Sequence, residues 1–300
     1  MSPDNGPIHL LQFGRSGQLG GELALALARE KDFHLTALDR QGADFAKPQT
    51  IEKAILEAPQ LDVVVNTVAY TAVDRAEAEQ ELAHRVNADA VEWLARACRA
   101  RGVPLVHIST DYVYDGAKSG PYLESDATGP INIYGQTKLA GEERIREQLP
   151  AHVILRTSWI FSARGQNFLK TMLRLGAERE EVRVVDDQLG APTSAADLAN
   201  AIVAIARRIA GADQSSLFGT FHFADAGETS WCGFAEEIFR QARLRARAVP
   251  IPTTEYPTPA RRPLNSRLDT GKISGAFGIH PPSWQSSLAV VLGGMQEKHL

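Results

Sequence analysis

The 300-residue sequence predicts an α/β fold: a doubly wound parallel sheet with a smaller C-terminal α/β lobe. Three observations predict it. Short apolar runs alternate with amphipathic stretches through the first half, the rhythm of repeated strand–helix–strand units. One run, DVVVNTVA from Asp62 to Ala69, carries consecutive valines, as a parallel strand covered on both faces requires. A glycine-spaced turn, GRSGQLG from Gly14 to Gly20, separates the first strand-like run from the first helix-like one.

Taken in order, IHLLQFG (Ile8–Gly14) has the length and apolarity of a buried strand. Gln18–Arg29 follows with Leu19, Leu23, Ala26 and Leu27 at helical spacing. Phe33–Asp39 and Asp62–Ala69 are the next strands. A long helical region covers Ala76–Arg101, and Pro104–Thr110 is the fourth strand. A loop then leads to a helix carrying Tyr134, and His152–Phe161 returns as a strand. Strands linked through helices lie parallel, with right-handed crossovers. After Phe161 the pattern loosens. VRVVDD (Val182–Asp187) and FGTFHFAD (Phe218–Asp225) read as strands, residues 192–210 and 229–243 as helices, and proline-dense Val249–Pro263 as loop.

Composition excludes several function classes. Hydrophobic residues make up 44% and charged residues 23%, ordinary for a globular protein. With 32 Lys and Arg against 36 Asp and Glu, the formal net charge of −4 offers no surface for nucleic acid. No apolar run approaches the roughly 20 residues that span a bilayer. MSPDNGPIHLL lacks the basic start and long apolar core of a secretory leader. Cys98 and Cys232 lie far apart, without metal-ligand spacing, and read as reduced thiols. A cytoplasmic protein is expected, with neither nucleic acid nor membrane as partner.

The glycines of the turn fall at Gly14, Gly17 and Gly20. Glycine allows a sharp bend and lets a pyrophosphate approach the backbone, and the helix that follows presents free N–H groups and a positive dipole end. This placement points to a dinucleotide in a Rossmann-type site. Asp39 at the end of the second strand suits both ribose hydroxyls of an adenosine, favouring NADH. Arg40 beside it suits a 2′-phosphate, favouring NADPH. Thr67 and Ala69 are small enough to let a nucleotide pass over the third strand's end.

Against that background INIYGQTKLAGE (Ile131–Glu142) acquires a chemical reading. Tyr134 and Lys138 are one helical turn apart and share a face. A nicotinamide supplies hydride, and a proton must come from elsewhere. A phenol's pKa near 10 is high for that task, and a neighbouring ammonium lowers it. IST ends the fourth strand, so Ser109 and Thr110 are both candidates for a hydroxyl near the substrate oxygen.

These motifs, with STDYVYDG, DDQLGAPT and RPLNSRLDT, resemble the extended short-chain dehydrogenase/reductase superfamily and, within it, the dTDP-4-dehydrorhamnose reductase family. The matching stretches span about Ile8 to Leu292. The resemblance implies reduction at C4 of dTDP-6-deoxy-L-lyxo-4-hexulose with NADPH or NADH. It implies Tyr134 as proton donor, Lys138 as its partner, Thr110 as the hydroxyl that positions the ketone, and Asn87 in an active-site relay. Gly14, Ser16, Gly17, Gln18, Leu19, Asp39, Asp44, Phe45, Thr67, Val68 and Ala69 would line the cofactor groove, beside Gly20 and Arg40. Asp111, Trp159, Asn167, Arg262, Asn265 and Arg267 would meet the nucleotide sugar. Residues 7–161, with later segments returning to them, would form the dinucleotide domain, and residues 162–300 mainly the substrate lobe.

The sequence also departs from the family. Some members bind Mg²⁺ between subunits through glutamates. Glu22 matches the first of these, but Ala196, followed by Asp197, stands where a second is expected, so a metal-free monomer or homodimer is the expectation. The segment before Ile8 has no match and is expected to lack structure. Two alternatives remain at this level: an epimerase or dehydratase of the same superfamily, which returns the hydride to its substrate, and a regulatory subunit like that of methionine adenosyltransferase, which acts by binding a partner.

Overall fold

A computed structural model describes residues 6–211 and 215–296. The expectation for the N-terminal segment falls largely on residues 1–5, outside the described residues. The first half runs β1 (Ile8–Phe13), α1 (Gln18–Leu27), β2 (Phe33–Leu38), α2 (Gln49–Leu56), β3 (Val63–Asn66), short helices α3 (Val73–Ala76) and α4 (Gln80–His84), α5 (Ala90–Arg101), β4 (Leu105–Thr110), α6 (Ile133–Gln148) and β5 (His152–Thr157). The second half adds β6 (Ile160–Phe161), α7 (Phe168–Glu178), β7 (Glu181–Val185), β8 (Leu189–Gly190), β9 (Thr193–Ser194), α8 (Ala195–Ile209) and β10 (Gly219–His222). It closes with β11 (Thr229–Ser230), α9 (Trp231–Gln241), β12 (Arg247–Ile251), α10 (Gly271–Phe277) and α11 (Trp284–Gln296).

Six strands form one sheet in the order β2-β1-β3-β4-β5-β10, and every pairing is parallel. This is the Rossmann-type sheet the sequence predicts. Val63, Val64 and Val65 have no exposed surface, because α1 and α8 cover one face while α2 and α5 cover the other. Burying each such side chain contributes about 1.5–3 kcal/mol. The chain leaves β1 for β2 on one side and returns to β3 on the other. The strand order therefore reverses between β1 and β3, which opens a crevice at their carboxyl ends.

A further cluster forms from Phe161, Leu169, Phe234, Ile238, Phe239, Trp284 and Leu288, where α7, α9 and α11 pack with the parallel pair β7–β12. α8 and β10 return to the large sheet, packing on α1 and pairing with β5 respectively.

Several boundaries differ from the sequence reading. The third strand stops at Asn66, not Ala69, because the Asn66 carboxamide accepts the Val68 N–H at 2.9 Å and turns the chain. The helical region over Ala76–Arg101 is broken into α4, a π-helical turn at Arg85–Asp89, and α5. Gly141 of α6 lies against that turn, where a Cβ would come within 2.1 Å of the Asn87 carbonyl oxygen. The strand His152–Phe161 is interrupted at Trp159, which has φ +47°. The stretch Phe218–Asp225 is a strand only from Gly219 to His222. The proline-rich loop begins three residues late: Val249–Ile251 completes β12, where Pro250 is tolerated because the pair has only two strands.

Candidate active site

A cleft of about 850 Å³ opens over the carboxyl ends of β1, β3 and β4. Its floor is the glycine turn. Gly14 has φ +94°, and a Cβ there would lie 2.6 Å from Thr67 Oγ1. A Cβ on Gly20 would lie 2.0 Å from the Gly14 carbonyl oxygen. Both positions need glycine. Helix α1 begins with Gly17 as its cap, with no side-chain cap and no acidic residue in its first turn, so its terminal N–H groups face the cleft free for an anion. Ser16, Gln18 and Leu19 line the same wall. Thr67 Oγ1 donates to the Phe13 carbonyl at 2.8 Å and ties β3 to the turn.

At one end of the cleft, Arg40, Asp44 and Phe45 join Val68 and Ala69 in the lining. Arg40 is 80% exposed and lies 3.4 Å from Asp44. Phe45 is buried edge-on to Phe13. Asp39 is not among the lining residues. Its Oδ1 accepts the N–H groups of Gln41 and Gly42 at 2.9 and 3.2 Å, so it builds the turn that presents Arg40.

Thr110, Tyr134 and Lys138 meet at the other end, all lining the cleft. Asn132 caps α6 by accepting the Gly135 N–H at 2.8 Å, which fixes where that helix starts. Thr110 Oγ1 donates to Asp111 Oδ1 at 3.0 Å and accepts the Tyr112 N–H at 3.2 Å. Ser109, the other candidate, also lines the cleft, but its hydroxyl donates to Glu142 Oε1 at 2.5 Å. Tyr134 packs edge-on against Tyr112, with ring centroids 5.7 Å apart.

The electrostatics correct one expectation. Burial pushes the Tyr134 phenol well above its ordinary value; a hydrogen bond with Thr110 opposes this and the Asp111 charge adds to it, with no part played by Lys138. The reason is where the amine points. Lys138 Nζ lies 2.7 Å from the Ile108 carbonyl and 3.1 Å from His107 Nε2, inside the sheet layer. Burial lowers its pKa to about 8, opposed by Glu142. Burial also raises Asp111 to about 7, against hydrogen bonds from Ser266 and Thr110.

The residues assigned to substrate divide. Asp111 and Trp159 line the cleft. Trp159 stacks on Trp231 with centroids 3.7 Å apart, over Gly190, where a Cβ would lie 2.7 Å from the ring. Asn167 does not line it; its amide bridges Gln18 Oε1 and the Ser162 carbonyl, each at 2.7 Å, while Oδ1 caps α7. Arg262 holds Asp74 through two contacts of 2.7 and 2.8 Å. Asn265 donates to the Lys118 and Gly120 carbonyls and accepts from Arg267 Nε. Arg267 pairs with Glu228 and with the Ser119 carbonyl. None of these three lines the cleft: they clasp the 118–120 loop and α3. Asn87 is similarly spent, on both backbone groups of Tyr70 and on Thr137 Oγ1.

Glu22 faces Arg164 at 3.3 Å and accepts from Ser162 Oγ. Among the described residues no three His, Cys, Asp or Glu side chains converge as a metal site needs. Among them, too, no helix is long and apolar enough to cross a membrane. The sequence reading missed Tyr70, Tyr112 and Trp231 in the cleft lining. Tyr112 lies inside the STDYVYDG motif and was open to recognition; Trp231 reaches the cleft only through the packing of α9, which no local spacing signals.

Comparison with known proteins agrees with this geometry. The family model described as RmlD substrate binding domain matches residues 8–297. A curated dTDP-4-dehydrorhamnose reductase of Sinorhizobium fredii is 46% identical over 288 residues, covering 93% of this chain and 95% of the relative. The crystal structure of a dTDP-4-dehydrorhamnose reductase from Clostridium acetobutylicum superposes with a TM-score of 0.90 at 36% identity, over 96% of this chain and all of the other. The dTDP-4-dehydrorhamnose reductase of Bacillus anthracis, in complex with NADP, gives 0.90 at 35% identity, over 96% and 99%.

Proposed function

The chain belongs to the RmlD substrate binding domain family, and from that premise we propose how its cleft carries out the family's reaction. It is an NADP-dependent oxidoreductase. It reduces the C4 ketone of dTDP-4-dehydro-6-deoxy-L-mannose to dTDP-L-rhamnose, the final step of dTDP-rhamnose biosynthesis. One observation carries the assignment of roles: Thr110, Tyr134 and Lys138 line the same cleft as the glycine turn.

The bound reduced nicotinamide supplies the hydride. The glycine turn and the α1 N-terminus hold the pyrophosphate. Thr110 turns its one hydroxyl hydrogen from Asp111 to the ketone oxygen and orients that oxygen beside the phenol. Tyr134 keeps its proton at neutral pH, as its burial requires, and gives it to that oxygen as the alkoxide forms. Lys138, one turn away, offsets the charge left on the phenolate. Asp111 accepts the Thr110 hydrogen until the ketone takes it, and the Trp159–Trp231 stack offers a flat apolar wall to the nucleotide sugar. Residues 7–161, with α8 and β10, act as the dinucleotide domain and residues 162–300 mainly as the substrate lobe, in a cytoplasmic monomer or homodimer.

The test is to mix the protein with the 4-keto sugar nucleotide and NADPH and follow the reduced-nicotinamide absorbance. Consumption equal to the sugar reduced supports this reading. Turnover with only catalytic cofactor would make the protein an epimerase, and no turnover at all would favour a regulatory subunit.

Cofactor choice gives a second expectation. Arg40 faces the cleft and Asp39 does not, so the 2′-phosphate has a partner while the bare ribose lacks one. Arg40→Ala is expected to weaken NADPH binding about tenfold, one charge-assisted hydrogen bond's worth, and to leave NADH within about twofold. Equal losses in titrations with both cofactors would remove Arg40 from this role.

A further inference from the structure

The buried hydrogen-bond chain behind Tyr134 can be satisfied in only one way. Asn66, His107 and Lys138 are all buried, at 0, 0 and 1% exposure. The Val68 N–H donates to Asn66 Oδ1 at 2.9 Å, which fixes the carboxamide and turns its NH₂ toward His107 Nδ1 at 3.0 Å. His107 Nδ1 must therefore be the acceptor, and a neutral imidazole then carries its hydrogen on Nε2. That N–H points at Lys138 Nζ, 3.1 Å away. An ammonium has no lone pair and would meet it donor to donor. A neutral amine accepts it and still donates to the Ile108 carbonyl at 2.7 Å.

We infer that in the cofactor-free protein Lys138 is stored as a neutral amine, accepting a hydrogen bond from the Nε2–H tautomer of His107, and takes up one proton from solvent when the dinucleotide binds. The alternatives fail on the same contacts. A charged Lys138 with the Nδ1–H tautomer sets that N–H against the Asn66 NH₂, and an imidazolium does so as well. Burial works towards neutral forms at both sites, holding His107 well below its ordinary value and lowering Lys138, and the donor-to-donor contact that an ammonium would make with His107 lowers Lys138 further. The surroundings do not reverse this. Glu142, on α6, favours the ammonium but is already held by Arg156, Arg146 and Ser109. His152, on β5, further disfavours charge on His107. Asp111 acts on Tyr134 instead.

His107 and Asn66 thereby become positioning residues: they keep the amine turned away from the phenol until the ligand's negative charge and hydroxyls draw a proton onto it. The proton uptake rests on the cleft being a dinucleotide site; the tautomer does not. The sign follows from linkage. A lysine that is neutral when free and charged when bound holds one more proton in the complex, so affinity is greatest at low pH and is lost as pH rises towards the bound-state pKa.

Two measurements on the whole protein test it. Long-range ¹H–¹⁵N spectra of the cofactor-free protein at pH 7, with the His107 signal identified by its loss in His107→Asn, are expected to show protonated Nε2 and bare Nδ1. An Nδ1–H tautomer overturns the inference. Calorimetric NADPH titrations of the unmodified protein are expected to give a Kd that rises towards tenfold per unit between pH 7 and 9, the slope of one proton taken up. A Kd unchanged to pH 9.5 also overturns it. Failure of NADPH to bind at pH 7 would strike the cleft assignment, and the tautomer spectrum would then decide the inference by itself.

Discussion

Tyr134→Phe is expected to lower kcat by about 100-fold or more, the usual worth of general-acid assistance, while NADPH affinity stays within about twofold. The ring's packing is retained, because phenylalanine keeps the edge-on contact with Tyr112. What is lost is the phenolic proton placed with Thr110 at the end of the cleft, where the ketone oxygen must sit. Single-turnover reduction with saturating NADPH and 4-keto sugar nucleotide isolates that step, and calorimetry reports the cofactor. A raised KM with unchanged kcat would show the hydroxyl serving ground-state binding only. A parent-like kcat would remove Tyr134 as the acid and send the search to Asp111, whose carboxyl burial brings to about 7.

The parts of this site that could be read from the chain are those built locally. Gly14 and Gly20 signal a turn because their demands are local: Gly14 has φ +94°, and Gly20 lies against the Gly14 carbonyl. Tyr134 and Lys138 share a face because helices repeat, and Thr110 ends a strand whose apolarity is plain. The misreadings share a physical origin in partners remote in sequence. Arg262 is expected to meet the nucleotide sugar, but Asp74 holds it. Arg267 is taken by Glu228 and Asn265 by the 118–120 loop. The direction of the Lys138 amine depends on His107 and Ile108, on a neighbouring strand. Helices α2, α7, α10 and α11 were absent from the reading: α2 and α10 are only 8 and 7 residues long, and α7 and α11 lie in the half where the strand–helix rhythm loosens.

Glu142→Leu is expected to cost about 3–5 kcal/mol of stability, because it strands a buried guanidinium. Glu142 has no exposed surface and Arg156 has 2%. The carboxylate accepts from Arg156 Nε at 2.9 Å and from its terminal nitrogen at 2.6 Å, and also from Arg146 and Ser109. Arg156 continues the network to the Tyr114 hydroxyl at 2.6 Å, which meets His222 Nε2 at 2.8 Å. Burial alone would raise the Glu142 pKa, but the two arginines and Ser109 outweigh it and hold the carboxyl below its ordinary value. The sign for pH follows: this stabilisation is complete above the unfolded glutamate pKa of about 4.3 and is lost as pH falls through the lower folded value. Thermal unfolding at pH 7 is expected to show a midpoint on the order of 10 °C lower, with the gap closing in acid. Tyr134, Lys138 and Glu142 recur every four residues along α6, so loosening this anchor also displaces the acid, and turnover at permissive temperature should fall with it. The paired change Glu142→Leu with Arg156→Leu separates charge from packing. If the loss comes from an uncompensated cation, the double variant melts above the single one; if it melts below, the network contributes through shape, and the electrostatic account of the α6 anchor is wrong.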